Sequence, residues 1–223
     1  MATKVTGFLD ERTGLSGLLA SFLNRKVPAN LNYLYTFGSA TLMLFTVQAI
    51  TGIFLSMYYS PSPDHAYDSI KYIMNDVAFG SLIRGIHHWA ASGMVVMVAL
   101  HALRTFVMGS YKYPRELTWV IGVLLFLVVL GFGFTGYLLP WDEKAYWATV
   151  VGTNMAKTVP FVGDFVFKVM RGGEDLGAVT LARFFTAHVL ILPVIISALI
   201  GIHLFLVVKL SISEPPERAK RVR

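Results

Sequence analysis

Two apolar runs of this 223-residue chain carry histidines. Ser81–Ser110 holds His87 and His101, 14 residues apart. On an α-helix that interval rises about 21 Å and falls about 40° short of four full turns, so both imidazoles leave nearly the same face. Arg183–Lys209 holds His188 and His203, 15 residues apart, which gives about 22 Å and an offset of roughly 60°. An ionisable side chain inside a membrane is costly and by default marks a functional site. Two helices with paired histidines at matching heights can clamp two stacked cofactors between them. Zinc is disfavoured, because ligands about 21 Å apart cannot converge on one ion. Haem iron, by contrast, takes neutral imidazole as an axial ligand. Iron held by two histidines has no open position, so it moves electrons rather than binding oxygen.

His87 and His88 point about 100° apart, so only one shares the face of His101, and the offset favours His87. Arg84 and Arg104 each lie three residues outward from a ligand, where cations would meet haem propionates; ordinary anchoring at a membrane boundary is the competing reading. Glycines repeat the same interval. Gly38 and Gly52 are 14 apart in the first apolar run, and Gly122 and Gly136 are 14 apart in the third. Single glycines in membrane helices serve close packing. Two pairs at the histidine interval instead predict that the first and third helices form walls against which a broad ring lies at each height.

Positioning these residues requires membrane-spanning helices. The chain is 55% hydrophobic and 14% charged, with a mean hydropathy of +0.61, a balance that leaves too little polar surface for a soluble domain. Four stretches meet the length of about 20 apolar residues: 33–59, 82–108, 117–139 and 179–208. The predicted fold class is all-α, a single domain over 1–223 built on a four-helix transmembrane bundle with short interfacial helices in its connections. With four spans, both termini and the 104–116 loop share one side, which carries twelve Lys/Arg against five Asp/Glu; the other side carries seven against eight. This asymmetry places both termini on the cytoplasmic, negative side. It also accounts for the net charge of +6 without a nucleic-acid partner. The opening residues have no apolar core of the kind a cleaved signal carries. The chain lacks cysteine, which removes disulfides, thiolate metal sites and thioether-linked haem on this chain.

Residues 8–26 suit an amphipathic helix lying in the interface before Pro28. The connection 60–80 holds one short surface helix and a solvated His65. Pro140 ends the third span. The connection 140–178 is long, with an interfacial helix over Val159–Met170 and boundary tryptophans Trp141 and Trp147. A loop of this length tends to be functional, and this one can roof a pocket for a lipid-soluble substrate.

Three motifs, IRGIHHW with LHALR (83–104), GFTGYLLPWDEKAYWA (133–148) and LARFFTAHVLILP (181–193), resemble the N-terminal haem-bearing half of cytochrome b, in the split form called cytochrome b6. The resemblance runs from about Val27 to Lys209. It implies two non-covalent b-type haems in a quinol–cytochrome c or plastocyanin-type oxidoreductase, carrying electrons between a quinol oxidation site and a quinone reduction site with coupled proton translocation. His87 and His188 would hold the positive-side iron, His101 and His203 the negative-side iron. Arg84, Arg104 and Arg183 match positions around the haems. Phe134, Tyr137, Ala148 and Val151 match the wall of the oxidation pocket, and Ser39 the neighbourhood of the reduction pocket. Implied partners are a separate C-terminal cytochrome b half, a Rieske iron–sulfur protein and a c-type cytochrome, in a homodimeric complex of a bacterial cytoplasmic or thylakoid-type membrane; the chain alone would not turn over. Two positions depart from the pattern. Thr36 stands where cytochrome b6 has the cysteine of an extra covalent haem, and Val208 where relatives have histidine or arginine. Two rivals remain. A dihaem anchor of a dehydrogenase or hydrogenase would not explain the long roof or the paired glycines. A transporter with a histidine proton relay predicts no haem.

Overall fold

In a computed structural model, residues 2–14, 16, 17, 20, 24 and 31–213 are described. Contacts divide the chain into two units, Asn32–Leu210 and Met1–Leu31 together with Ser211–Arg223. The described part of the second unit contains α1, Ala2–Thr13. Of the amphipathic helix expected at 8–26, the first part falls within α1, which ends at Thr13; eight of its residues, and the tail beyond Ser213, lie outside the described residues.

The unit Asn32–Leu210 is helical throughout its regular structure. The Asn32 side chain caps a 3₁₀ turn, Tyr33–Thr36, by accepting from Leu34 N, and the turn leads into α2, Phe37–Ser56. Pro61 and Pro63 follow and prevent continuation. α3, Ala66–Asn75, is the expected short surface helix, with His65 exposed at its N-cap. α4, Gly80–Val107, is 28 residues long, about 42 Å at 1.5 Å per residue, and stops at Gly109, whose φ is +65°. α5, Glu116–Leu138, ends before Pro140. The last span is Ala178–Leu210: α8 (Ala178–Thr186), a π-turn (Ala187–Ile191) and α9 (Leu192–Leu210). The four spans are long and apolar enough to cross a membrane, and their outward side chains, among them Ile50, Ile53, Val107, Leu127, Val194 and Phe205, are exposed and apolar. The protein is an integral membrane helical bundle.

The connection 140–178 is more ordered than its sequence predicts. It contains two helices, α6 (Glu143–Lys157) and α7 (Gly163–Arg171). Asp142 starts α6 by accepting from Ala145 N at 2.8 Å, with Glu143 in the first turn, a pairing of cap and dipole charge that was readable in the chain. The helix expected from Val159 begins later, because Pro160 and the positive φ of Phe161 (68°) break the backbone. Arg171 joins these helices. It is buried, donating to Thr153 Oγ1 (2.8 Å), Glu174 O (2.7 Å) and Val150 O (3.2 Å).

The membrane core sits at mid-height. Met94, Val98, Val129 and Ile196 are buried together, with Leu44 and Phe45 against them. Met94 lies seven residues from both His87 and His101, Phe45 seven from both Gly38 and Gly52, and Val129 seven from both Gly122 and Gly136. One apolar layer therefore separates two tiers, each about 10 Å away along the helices.

Candidate functional site: two tiers of histidines

α2 packs along α4, and α5 along α9. In both pairs consecutive spans run antiparallel, so the 14-residue glycine interval on one helix meets the histidine interval of its neighbour, 14 or 15 residues, in reverse order. Each imidazole consequently sits on its own glycine. A Cβ built on Gly52 would lie 3.2 Å from His87 Cε1, and one on Gly38 3.1 Å from His101 Cε1. On the other pair the distances are 2.7 Å from Gly136 to His188 and 3.3 Å from Gly122 to His203. The glycines predicted as walls for a ring are, in this structure, the seats of the four histidine side chains. We call His87 and His188 the first tier, and His101 and His203 the second.

The unequal spacing of the histidines has a local cause. The π-turn Ala187–Ile191 includes His188, and a π-turn inserts one residue into the helical register. The 15-residue interval therefore rotates like the 14-residue interval of α4. Pro193 explains the π-turn: it cannot donate to the preceding turn, and its ring crowds the carbonyl four residues back.

The first-tier imidazoles face each other with ring centres 6.4 Å apart. Their planes stand at 71°, and at this separation both imidazoles would be available to hold one metal-bearing group between them. Thr51 Oγ1 lies 2.8 Å from His87 Nδ1, and Thr135 Oγ1 3.0 Å from His188 Nδ1. Gln48 Nε2 donates to His87 O at 2.7 Å and ties α2 to α4 at this height. Beyond the second tier, Arg104 stacks its guanidinium 3.4 Å over the Tyr35 ring, while its Nε and Nη2 are buried without partners. A guanidinium with two buried nitrogens lacking partners fits an acidic group such as a propionate. Glycine seats, facing rings and an unpaired arginine are compatible with a haem at each tier.

The remaining predicted residues are placed as follows. Arg84 Nη1 contacts Met74 Sδ at 3.6 Å. Arg183 donates to Lys168 O and Val169 O, so it braces the end of α7. Ser39 is exposed, with its hydroxyl on Thr36 O. His88 is exposed, edge-on to Trp89. Phe134 packs on Gly152 of α6 and meets Phe184 at 5.5 Å, which brings the end of α5 to the helix that carries Ala148 and Val151. Tyr137 and Val151 are exposed. Thr51, Thr135 and Gln48 were not singled out by the sequence reading. The repeated Thr-Gly pair at 51–52 and 135–136 was the available signal for the threonines.

Four membrane spans that carry imidazoles at two heights are compatible with cofactors held between them. The chain belongs to the cytochrome b/b6/petB family, which matches residues 22–211, and membership implies b-type haem binding. It is 43% identical over 223 residues to the menaquinol:cytochrome c reductase cytochrome b subunit of Bacillus subtilis (strain 168), covering 96% of this chain and 100% of that one. It is 40% identical over 214 residues to cytochrome b6 of Prochlorococcus marinus (strain MIT 9303), covering 96% and 98%. Among solved structures, a chain of a hyperthermophilic respiratory Complex III matches with a TM-score of 0.87 and 37% identity over 95% of this chain. This chain spans 56% of that one, whereas it is similar to the short, split forms end to end.

Proposed function

We propose that this chain is a single dihaem domain, the cytochrome b subunit of a quinol–cytochrome c or plastocyanin-type oxidoreductase. Its role is electron transfer across the membrane between quinol oxidation and quinone reduction. The observation that supports this best is that four of the five histidines in the spans sit on glycines in two tiers, with the first-tier ring centres 6.4 Å apart. When bound, b haems supply one-electron exchange at each height. His87 with His188, and His101 with His203, hold iron; the two haems are not covalently attached, and with Thr36 at the cysteine position an extra haem has no thioether anchor. Gly38, Gly52, Gly122 and Gly136 give the ligand rings their room, and Arg104 binds a propionate. Phe134, Tyr137, Ala148 and Val151 wall the quinol pocket under α6. Ser39 lies on the quinone reduction side, where Val208 leaves proton delivery to other groups.

Both termini face the cytoplasm, and the first tier lies toward the positive side of a bacterial cytoplasmic membrane. A separate C-terminal cytochrome b half, a Rieske iron–sulfur protein and a c-type cytochrome complete a homodimeric complex, and the chain is inactive alone. Menaquinol, named for the Bacillus relative, is the substrate to try first. Pyridine haemochrome analysis and reduced-minus-oxidised spectra of the purified complex test this reading. Two protohaems per chain are expected, and a colourless preparation overturns it.

A further inference from the structure

The two tiers differ in one respect that the haem-binding role does not require. A threonine precedes each first-tier glycine, Thr51–Gly52 and Thr135–Gly136, whereas Phe37 and Ile121 precede Gly38 and Gly122. Each threonine hydroxyl touches the Nδ1 of its histidine, at 2.8 and 3.0 Å. Each also lies close to a carbonyl of its own helix, Val47 O at 2.7 Å and Gly131 O at 2.8 Å. A hydroxyl has one hydrogen, and a carbonyl can only accept. That hydrogen therefore goes to the carbonyl, and Oγ1 accepts from Nδ1–H. The proton is fixed on Nδ1 of both rings, and the Nε2 lone pairs are left for iron. In the second tier His203 Nδ1 is buried without a hydrogen-bond partner.

We propose that Thr51 and Thr135 are positioning residues that lock the tautomers of His87 and His188 and lower the midpoint potential of the haem those histidines hold. The inference rests on the two-haem reading above. An acceptor on the outer nitrogen of a metal-bound imidazole raises the basicity of the ligand. A more basic ligand favours the more positive, oxidised iron, and hydrogen bonding around the ligands is one of the levers that set haem potential. A hydroxyl already donating to a carbonyl is polarised into a better acceptor. Because two rings act on one iron, the effects act in the same direction.

The test is a redox titration of the intact complex carrying Thr51→Val, Thr135→Val, both together, or the serine variants, followed by optical difference spectra and by the spin-resonance signals of the oxidised haems. Valine keeps the shape and removes the oxygen. The double variant should raise the first-tier midpoint by about a tenfold change in the oxidised-to-reduced ratio, 59 mV for one electron. Each single variant should give a smaller rise. The second tier should stay in place, and serine should restore the original value. Unmoved midpoints, equal shifts in both tiers, or serine behaving as valine would overturn the proposal. If a valine variant loses the first-tier haem, retention at the original potential in the serine variant supports the proposal and loss there overturns it. Absence of haem from the unmodified complex would instead refute the two-haem reading.

Discussion

Gly136→Ala is the smallest change that discriminates a ligand seat from ordinary helix packing. The added Cβ would stand 2.7 Å from His188 Cε1, 3.2 Å from Nδ1 and 3.3 Å from Nε2. Comfortable carbon contacts are about 3.5–4.0 Å, so the ring must retreat by about 0.8–1.3 Å. It has little freedom to do so, since Nδ1 is held by Thr135 and the Phe132 ring lies edge-on with centres 5.4 Å apart. Overpacking costs about 1–3 kcal/mol, and replacing glycine by alanine in a helix returns about 0.8–1.0 kcal/mol. The fold should therefore lose no more than about 2 kcal/mol. The metal site is less tolerant: ligand distances hold within about 0.2 Å, so the same retreat removes a ligand. The expected variant folds and inserts but lacks the first-tier haem. Gly133→Ala, three residues away with nothing within 4 Å of the new Cβ, should keep both haems. Haemochrome stoichiometry and thermal unfolding in detergent separate the two quantities. Two haems at native potentials in Gly136→Ala, or haem loss in Gly133→Ala, would refute the reasoning.

His188→Ala should remove the first-tier haem and His203→Ala the second, each leaving the other component of the reduced-minus-oxidised spectrum; His88→Ala should leave both. Arg171→Met removes a charged donor from acceptors on Thr153, Glu174 and Val150, at about 1.5–3 kcal/mol for each such bond. Amide hydrogen exchange across residues 143–171 should rise by about two decades or more, with the spans unaffected. The Lys168–Asp164 pair, at 2.8 Å on α7, holds the Asp164 carboxyl below its ordinary range, mainly through the lysine hydrogen bond. A lowered pKa gives stability that is present above the ordinary carboxylate range and is lost as pH falls through the lowered value. The same bond raises Lys168, so that contribution fades at the alkaline end. Exchange protection of α7 should show this acid step, and Asp164→Asn should abolish it.

The spans and the matched heights of their histidines and glycines were legible because two periodicities coincide in the chain. Apolar residues mark the helices, and histidines and glycines repeat every 14 positions along them. Spacing within one helix carried the face of each imidazole, but spacing cannot report what lies opposite. The seating of histidines on glycines, and of Thr51 and Thr135 on Nδ1, needed the antiparallel pairing of α2 with α4 and α5 with α9. The 15-residue interval looked like an imperfect match, because a π-turn depends on how a helix accommodates Pro193 rather than on side-chain pattern. α6 was missed for a related reason. Its aromatic and polar residues alternate between a buried face, Ala145, Thr149 and Thr153, and an exposed one, and this face is apolar only in part. Arg183 was placed around the haems by resemblance alone; its guanidinium donates to the Lys168 and Val169 carbonyls at the end of α7, a contact that spacing could not foretell.

The apolar layer between the tiers bears on the competing transporter reading. A relay of protons between histidines about 21 Å apart along a helix requires donors or water at intermediate heights, each close enough to hydrogen-bond to the next. Among the described residues, the core layer at that height consists of Met94, Val98, Val129 and Ile196, with Leu44 and Phe45 packed against it, and none of these exchanges a proton. Carrying an ion through such a layer is opposed by desolvation, whereas passing an electron between two fixed centres moves no atom through it. In the two-haem reading the four helices hold cofactors at two heights with this apolar layer between them, and electron transfer across the layer needs no proton donors there.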